Sequence, residues 1–380
     1  SSCHAGSNYR FSRAALWPEE SKIMEKEKPS TLVLPSLLGG EGLFAARAFA
    51  VGETILTDPA LATVAQSHQN PSLDEVYSAL LACESSEQLA EAELFSGSPD
   101  SERVRDYVEW AERALSSRSV AEQASTLKAM LVLAFNAYNS SPGNKFQLVY
   151  PIISKVNHCC CPNALVEAPA DGPGELICVR PIRAGEEIHV SYLNDRMLSS
   201  PVTERQRQCM ENWEFACKCS RCTASSDDTR RFSCPHLPCR GHCVALVGGQ
   251  SSLTVAACDS CGRQPLDVNL SEWDASEREV NRLLDSLPEG LYCAWAICED
   301  FAAAHPEHWL TGLWKRRLAG HLQNEASDEE DPTEAAELRN EADNHLLVAQ
   351  RCCEAALGMS TNATCLGAAA VPVPAAVPVV

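Results

Sequence analysis

No apolar run in this chain approaches the roughly 20 residues needed to cross a bilayer. The stretch 1–13 also lacks the apolar core of a secretory signal. Both gaps argue against membrane insertion and export, and place the chain in the reducing cytosol or nucleus, where cysteine stays a thiol or a metal ligand. Basic residues are outnumbered: 31 Lys and Arg face 51 Asp and Glu, for a net charge of −20 and a pI near 4.9. A nucleic-acid binder needs a cationic footprint to neutralise phosphates, so that class is set aside and a basic partner suits the charge better. The acidity also has a plainer use, solubility. No H-E-x-x-H pattern occurs, and with it goes the histidine and carboxylate shell of a zinc hydrolase.

What the chain has instead is length and cysteine. Its 380 residues suffice for two or three domains with their own cores, so 20 cysteines need not staple a small fold. Metal binding is the better use. Cys217-Lys218-Cys219-Ser220-Arg221-Cys222 puts three thiolates on one turn, enough to grip a zinc ion but one short of a tetrahedron. Cys160, within Asn157-His158-Cys159-Cys160-Cys161-Pro162-Asn163, is the donor expected to complete it, pinning the chain after Tyr192 onto the core. A second set, Cys234-x4-Cys239 with Cys258-x2-Cys261, reads as a zinc ribbon with a closed, structural site, where Cys243 and His242 are surplus candidates. Cys293 and Cys352-Cys353 fall at apolar helical spacing and are assigned to core packing.

Periodicity divides the rest. Over 31–64, short apolar runs around Leu32-Val33-Leu34, Leu43-Phe44 and Ile55-Leu56 are separated by glycine turns and predict a strand meander. Three helices follow. Ser72 with Glu75 forms a capping box for one that turns Leu73, Val76, Leu80 and Cys83 inward. Ser98-Pro99 opens a second with Val104, Val108, Ala111 and Leu115 inward. A third runs over about 119–138 on Val120, Ala124, Leu127, Leu131, Ala134 and Tyr138. Strands resume over 148–156, 175–179 and 187–192. The stretch 47–55 echoes 180–188, and two copies so far apart predict a pair of similar hairpin corners rather than a solenoid. Past the ribbon, helices run to about Leu357, the last carrying Ala335, Leu338, Ala342, Leu346, Val348 and Ala349 as its stripe.

Together these stretches resemble the SET domain, and specifically the split SET domain of the SET and MYND family. Gly40-Glu41-Gly42-Leu43-Phe44 is similar to that family's opening glycine motif. Asn157-His158-Cys159-Cys160-Cys161-Pro162-Asn163 is similar to its N-H-S-C-x-P-N motif, Glu186-Glu187-Ile188-His189-Val190-Ser191-Tyr192 to its E-E-(L/I)-x-(I/V)-x-Y motif, and 213–222 to its post-SET segment. Four motifs in order, over about 31–64 and 146–222, make coincidence a poor explanation. Cys159 departs from the family's serine. The insert holds only Cys83, so the MYND zinc module is expected to be missing.

The resemblance implies an α+β fold: a split, β-rich SET domain with a helical insertion, a cysteine-rich post-SET zinc site, a zinc ribbon and a C-terminal helical region. Its expected parts are a flexible arm (1–30), the first SET part (31–64), the helical insert (65–145), the SET core (146–200), the post-SET segment (201–225), a ribbon-like segment (226–268), tetratricopeptide-like helices (269–360) and a disordered tail (361–380). The implied activity is that of a protein-lysine N-methyltransferase using S-adenosylmethionine, with zinc as structural cofactor. Gly40, Glu41 and Gly42 would let backbone approach the cofactor, Asn157 and His158 would hydrogen-bond it, and Phe215 would pack on its adenine. Tyr192, shared between cofactor and lysine, would be the catalytic residue. The metal ligands would be Cys160, Cys217, Cys219 and Cys222 in one site, and Cys234, Cys239, Cys258 and Cys261 in the other. The expected partner is a lysine-bearing, basic protein segment, histone or not, with no nucleic acid or membrane and with a monomer as the expected state. The rival reading is a SET-like module that has lost catalysis and recruits partners through its ribbon and helices. Presence of Tyr192 and of the Asn157-His158 pair argues against such decay.

Overall fold

The structure, a computed structural model, describes residues 29–66, 68, 71–141, 143–248, 253–286 and 291–357. The arm expected over 1–30, apart from its last two residues, the tail expected over 361–380 and the side chain of Cys293 lie outside the described residues. The region 31–65 gives β1 (Thr31–Pro35), β2 (Glu41–Ala45), β3 (Thr54–Asp58) and β4 (Ala62–Ala65). Four helices follow: α1 (Leu73–Leu81), α2 (Ser86–Glu91), α3 (Glu102–Ala114) and α4 (Val120–Asn136). Next come β5 (Tyr138–Asn139), β6 (Phe146–Val149), a 3-10 turn (Ile153–Lys155), β7 (Asn157–His158), β8 (Ala164–Glu167), β9 (Gly174–Cys178) and β10 (Glu187–Val190). The chain continues through α5 (Asp195–Leu198), α6 (Val202–Trp213), β11 (Ser226–Ser233) and β12 (His242–Leu246). It ends in α7 (Asp267–Ser286), α8 (Leu291–Ala304), α9 (Trp309–Asp328) and α10 (Pro332–Leu357). Among the described residues no helix is long and apolar enough to cross a membrane.

Capping chemistry sets the helix starts. Ser72 and Ser119 each form a capping box, with Glu75 and Glu122 three residues on. The expected start at Ser98-Pro99 is corrected: α3 begins on Ser101, whose Oγ accepts from Val104 N at 3.0 Å, while Ser98 N donates to the Glu214 carboxylate at 2.8 Å. The expected stripe of α4 is corrected too. Val120 is 82% exposed and Ala124 is exposed, whereas the helix from Ala129 to Asn136 is buried, because this half lies in one core with β4, β6 and the other insert helices. Tyr138 leaves the helix for β5. The strand expected over 148–156 stops at Val149, since the buried Asp58 carboxylate accepts from Ile152 N at 2.7 Å and Ile153 N at 2.8 Å and holds the chain in a turn. The strand expected over 187–192 likewise ends at Val190. In α10, Ala335, Ala342 and Ala349 are buried but Leu346 is exposed, and Cys83 lies past the end of α1.

Among the described residues the strands form four small sheets, ordered β1-β2-β10-β7, β3-β9-β8, β4-β6-β5 and β11-β12. The echo between 47–55 and 180–188 is where the first two interlock. Gly52 and Gly185 both have φ +83°, a left-handed value that costs glycine no Cβ clash. In each copy the following glutamate bonds back across the turn, Glu53 accepting from Ala50 N at 2.9 Å and Glu186 from Arg183 N at 3.0 Å. The corners are not the separate hairpins expected. β2 pairs with β10 and β3 with β9, so the strand entering each corner pairs with the strand leaving the other. At the centre Phe49 and Ile182 exchange both backbone hydrogen bonds, at 2.9 and 3.0 Å, and both side chains are buried. Below them Leu43, Tyr150, Val156, Leu176 and Ile188 are at most 1% exposed, each burial worth on the order of 2 kcal/mol.

Candidate active site and metal centres

β7 and β10 run parallel and adjacent, which sets Asn157 beside His189 and His158 beside Val190, while β2 brings its glycine turn against the other side of β10. Gly39 (φ +117°) and Gly40 (φ +62°) shape that turn. Gly42 is glycine for another reason: a Cβ there would stand 2.3 Å from Glu187 Oε1 and 2.9 Å from Asn157 Nδ2. The space it leaves lets Asn157 Nδ2 donate to Glu41 O at 2.9 Å and to Glu187 Oε1 at 2.8 Å, while Ser36 Oγ donates to Glu187 Oε2 at 3.0 Å. The carboxylate of Glu41 pairs with Lys155 Nζ at 2.7 Å.

Tyr192 is held at both ends. Its N–H donates to His158 Nδ1 at 2.9 Å and its hydroxyl donates to Val156 O at 2.7 Å. Because His158 accepts on Nδ1, its neutral ring carries hydrogen on Nε2, which faces Cys160 Sγ at 3.3 Å. Burial pushes the pKa of His158 down to about 3, so the ring stays uncharged. Both ring nitrogens are therefore engaged within the protein, and neither is left for a ligand. Burial also raises the phenol of Tyr192 above its ordinary value. Its ring lies 5.3 Å from those of His158 and Trp213 and 6.1 Å from that of Phe215.

These groups border a cavity of about 590 Å³. Gly40, Glu41, Asn157, His158, Tyr192 and Phe215 line it, while Gly42 supports it from behind. Other parts of the wall were not assigned to the site in the sequence: Glu93, Leu94 and Phe95 with Phe135 and Asn136 from the helical insert, and Trp213 and Glu214 at the end of α6. Trp213 stands inside a recognisable segment, but the insert residues carry no motif and reach the cavity only through the fold. A larger recess of about 800 Å³ lies between α6, β11, β12 and α7. Its charged walls pair among themselves, Asp227 accepting from Val202 N at 2.8 Å and Arg230 gripping Glu277 through two nitrogens, and none of the expected site residues lines it.

Among the described residues, eight cysteines gather as two groups of four. In each, the Sγ atoms lie within 4.8 Å of one another: Cys160 with Cys217, Cys219 and Cys222, and Cys234 with Cys239, Cys258 and Cys261. A tetrahedron with Zn–S bonds of about 2.3 Å has edges of about 3.8 Å. Cys160 lies 3.9 Å from Cys217 and 3.4 Å from Cys222, and the ribbon pairs Cys234–Cys261 and Cys239–Cys258 lie at 3.7 and 3.6 Å. Both groups fit zinc. The first has a further reason to be held as thiolates. Arg205 and Arg221 are buried at 1% and 7% exposure against it, with Arg205 Nε and Arg221 Nε and Nη2 lacking partners among the described residues. Two buried guanidinium groups cost several kcal/mol each unless anions face them, and the buried Asp227 carboxylate, 4.0 Å from Arg205 Nη1, answers only one of the two charges. Four thiolates around Zn²⁺ carry −2 and would supply that charge. In the ribbon, Cys243 is fully buried in the apolar cluster, and His242 faces Asp259 and Glu307 at 4.0 and 3.7 Å, so neither joins the four.

Known proteins agree with this arrangement over its central part. The SET domain family matches residues 40–193. Histone-lysine N-methyltransferase SET5 of Meyerozyma guilliermondii is 38% identical over 81 residues, 20% of this chain and 16% of that protein. Histone-lysine N-methyltransferase ATXR2 of Arabidopsis thaliana is 38% identical over 80 residues, again 20% and 16%. N-lysine methyltransferase SMYD2 of Homo sapiens is 31% identical over 80 residues, 21% of this chain and 18% of that protein. The matched stretch thus spans less than a fifth of each relative's length. Residues 40–193, where the glycine turn, the Asn157-His158 strand and Tyr192 close on one cavity, are thus the part of the chain that matches the SET domain family.

Proposed function

We propose that this chain is an S-adenosylmethionine-dependent protein-lysine methyltransferase. One observation carries the reading: Gly40, Asn157 and Tyr192, contributed by separate segments, line a single cavity. Its volume of about 590 Å³ falls within the range of cofactor pockets, and the glycine turn, the aromatic rings and the Asn157 amide suit a folded nucleoside with an amino-acid tail. Gly40, Glu41, Asn157, the His158 backbone and Phe215 would hold it. Bound S-adenosylmethionine supplies an activated methyl group on a sulfonium sulfur. The protein's share is orientation. With its hydrogen committed to Val156 O and its phenol kept neutral, Tyr192 offers an oxygen lone pair to orient an incoming amine rather than a base to deprotonate it. A lysine normally near pKa 10.4 sheds its proton more readily once desolvated in such a site.

The net charge of −20 supports a basic, lysine-bearing protein segment as substrate, and the cysteine chemistry supports a cytosolic or nuclear setting with zinc in both four-cysteine groups. The test is incubation of the purified protein with labelled S-adenosylmethionine and a mixed protein extract, followed by mass spectrometry of lysines. We expect Tyr192→Phe to lower the rate at least about 100-fold while leaving S-adenosylhomocysteine binding within about threefold of wild type. Label transfer undiminished in Tyr192→Phe, or no transfer by either protein, defeats the proposal.

A further inference from the structure

Glu214 ends α6 in a left-handed conformation, φ 63° and ψ 30°, which disfavours any side chain with a Cβ and where glycine is the usual residue. Its carboxylate does something glycine could not. One oxygen accepts from Ser98 N at 2.8 Å and the other from Ser101 Oγ, and Ser101 Oγ in turn accepts from Val104 N to cap α3. The anion therefore sits at the start of a 13-residue helix, where the helix dipole favours it. A second stitch runs alongside. Arg103, 5% exposed, donates to Asn212 O at the end of α6 and to Ala134 O at 3.1 Å, and its guanidinium lies 4.6 Å from the centre of the Phe135 ring.

These bonds tie the start of α3 in the insert to the segment that ends α6, and the insert and that segment each carry part of the cavity wall. On one side are Glu93, Leu94 and Phe95, whose turn is tied to α4 by Asn136 Nδ2 donating to Phe95 O at 2.6 Å. On the other are Trp213 and Phe215, which flank Glu214 in sequence. Resting on the cavity being the cofactor site, we infer that Glu214 is a positioning residue, a clasp between the insert and the segment after α6 that keeps the cofactor cavity closed. An unfavourable backbone conformation persists where the contacts around it outweigh it, and here those contacts span the cavity.

The test uses Glu214→Gly, which removes the carboxylate while relieving the left-handed backbone, and Glu214→Gln, which keeps one accepting oxygen of two. A mere helix cap would be unharmed or improved by glycine. The clasp predicts that Glu214→Gly lowers the melting temperature despite the relieved backbone, and weakens S-adenosylhomocysteine binding by calorimetry about tenfold, the scale of lost charge-assisted hydrogen bonds. Glu214→Gln should fall between. In turnover the effect should appear in KM for the cofactor and not in kcat, and ligand-free hydrogen exchange over 93–101 should quicken. If wild type binds S-adenosylhomocysteine and Glu214→Gly binds it equally well, the clasp is overturned alone. If wild type binds none, the cofactor reading of the cavity falls and the clasp's role with it.

Discussion

At the scale of single residues, the expected site residues divide by what their side chains are free to do. Tyr192 and Asn157 line the cavity with their side-chain hydrogens already given to Val156 O, Glu41 O and Glu187, each keeping an oxygen that can accept, whereas His158 spends both ring nitrogens internally, one on Tyr192 N and one toward Cys160. A histidine in a motif is legible in sequence, but its partners are not, because they come from residues 2 and 34 positions away whose directions depend on strand pairing. Gly42 is the sharper case. Its sequence context suggested close approach to a ligand, and the structure shows close approach to Glu187 and Asn157 instead. Gly42→Ala should push those two side chains apart, destabilising the fold by about 1–3 kcal/mol in urea titrations and weakening S-adenosylhomocysteine binding. A variant as stable as wild type, binding equally well, would show the packing to be looser than these distances imply.

At the scale of elements, thiol spacing was informative and strand pairing was not. The C-x-C-x2-C turn announced three ligands of one site, and the fourth, Cys160, sits where β7 delivers it. Each group holds one ion if both are filled. Wild type should therefore carry two zinc ions per chain by plasma emission spectrometry, and Cys160→Ser one. A single lost ligand should also free the segment 214–222 from the core, read as faster hydrogen exchange there, with the ribbon unchanged. Two zinc ions retained in Cys160→Ser would contradict the assignment. The repeated corner was visible in the sequence as an echo and read as a pair of similar hairpin corners, but which strands pair across them was not. Exchange of strands between corners wins because Phe49 and Ile182 can then be buried against each other's backbone, a gain available only once both copies are in place.

At the scale of the whole molecule, the ribbon and the C-terminal helices are joined by buried titratable groups. His305 packs on Phe232 and accepts from Ser233 N at 3.2 Å, and burial lowers its pKa to about 4. An unfolded histidine titrates near 6.5, so the stabilisation from keeping His305 neutral is complete above about pH 6.5 and is lost as the pH falls toward 4, amounting to roughly 3 kcal/mol. Burial works to raise the pKa of Glu277, but bonds with His308 and Arg230 outweigh it and hold the carboxyl well below the usual carboxylate range. That contribution is present above the unfolded value near 4.5 and disappears only in stronger acid. Between pH 7 and 4.5 the melting temperature should therefore fall, with His305→Phe flattening the slope in that window. An unaltered slope in His305→Phe would place the acid sensitivity elsewhere.

Composition and spacing by themselves determined that the chain is acidic, carries cysteines spaced as two sets that could hold metal and offers the motifs of one domain type, because charge, thiol count and short-range order are properties of the linear chain. They also located α1 and the start of α4, whose capping boxes need only four consecutive residues. Tertiary structure alone decided that the helical insert walls the cavity, that Glu214 reaches 113 residues back to Ser101, and that the two corners trade strands. Those contacts join residues whose separation in sequence carries no local signature, and their free energy exists only when the distant partner is already folded.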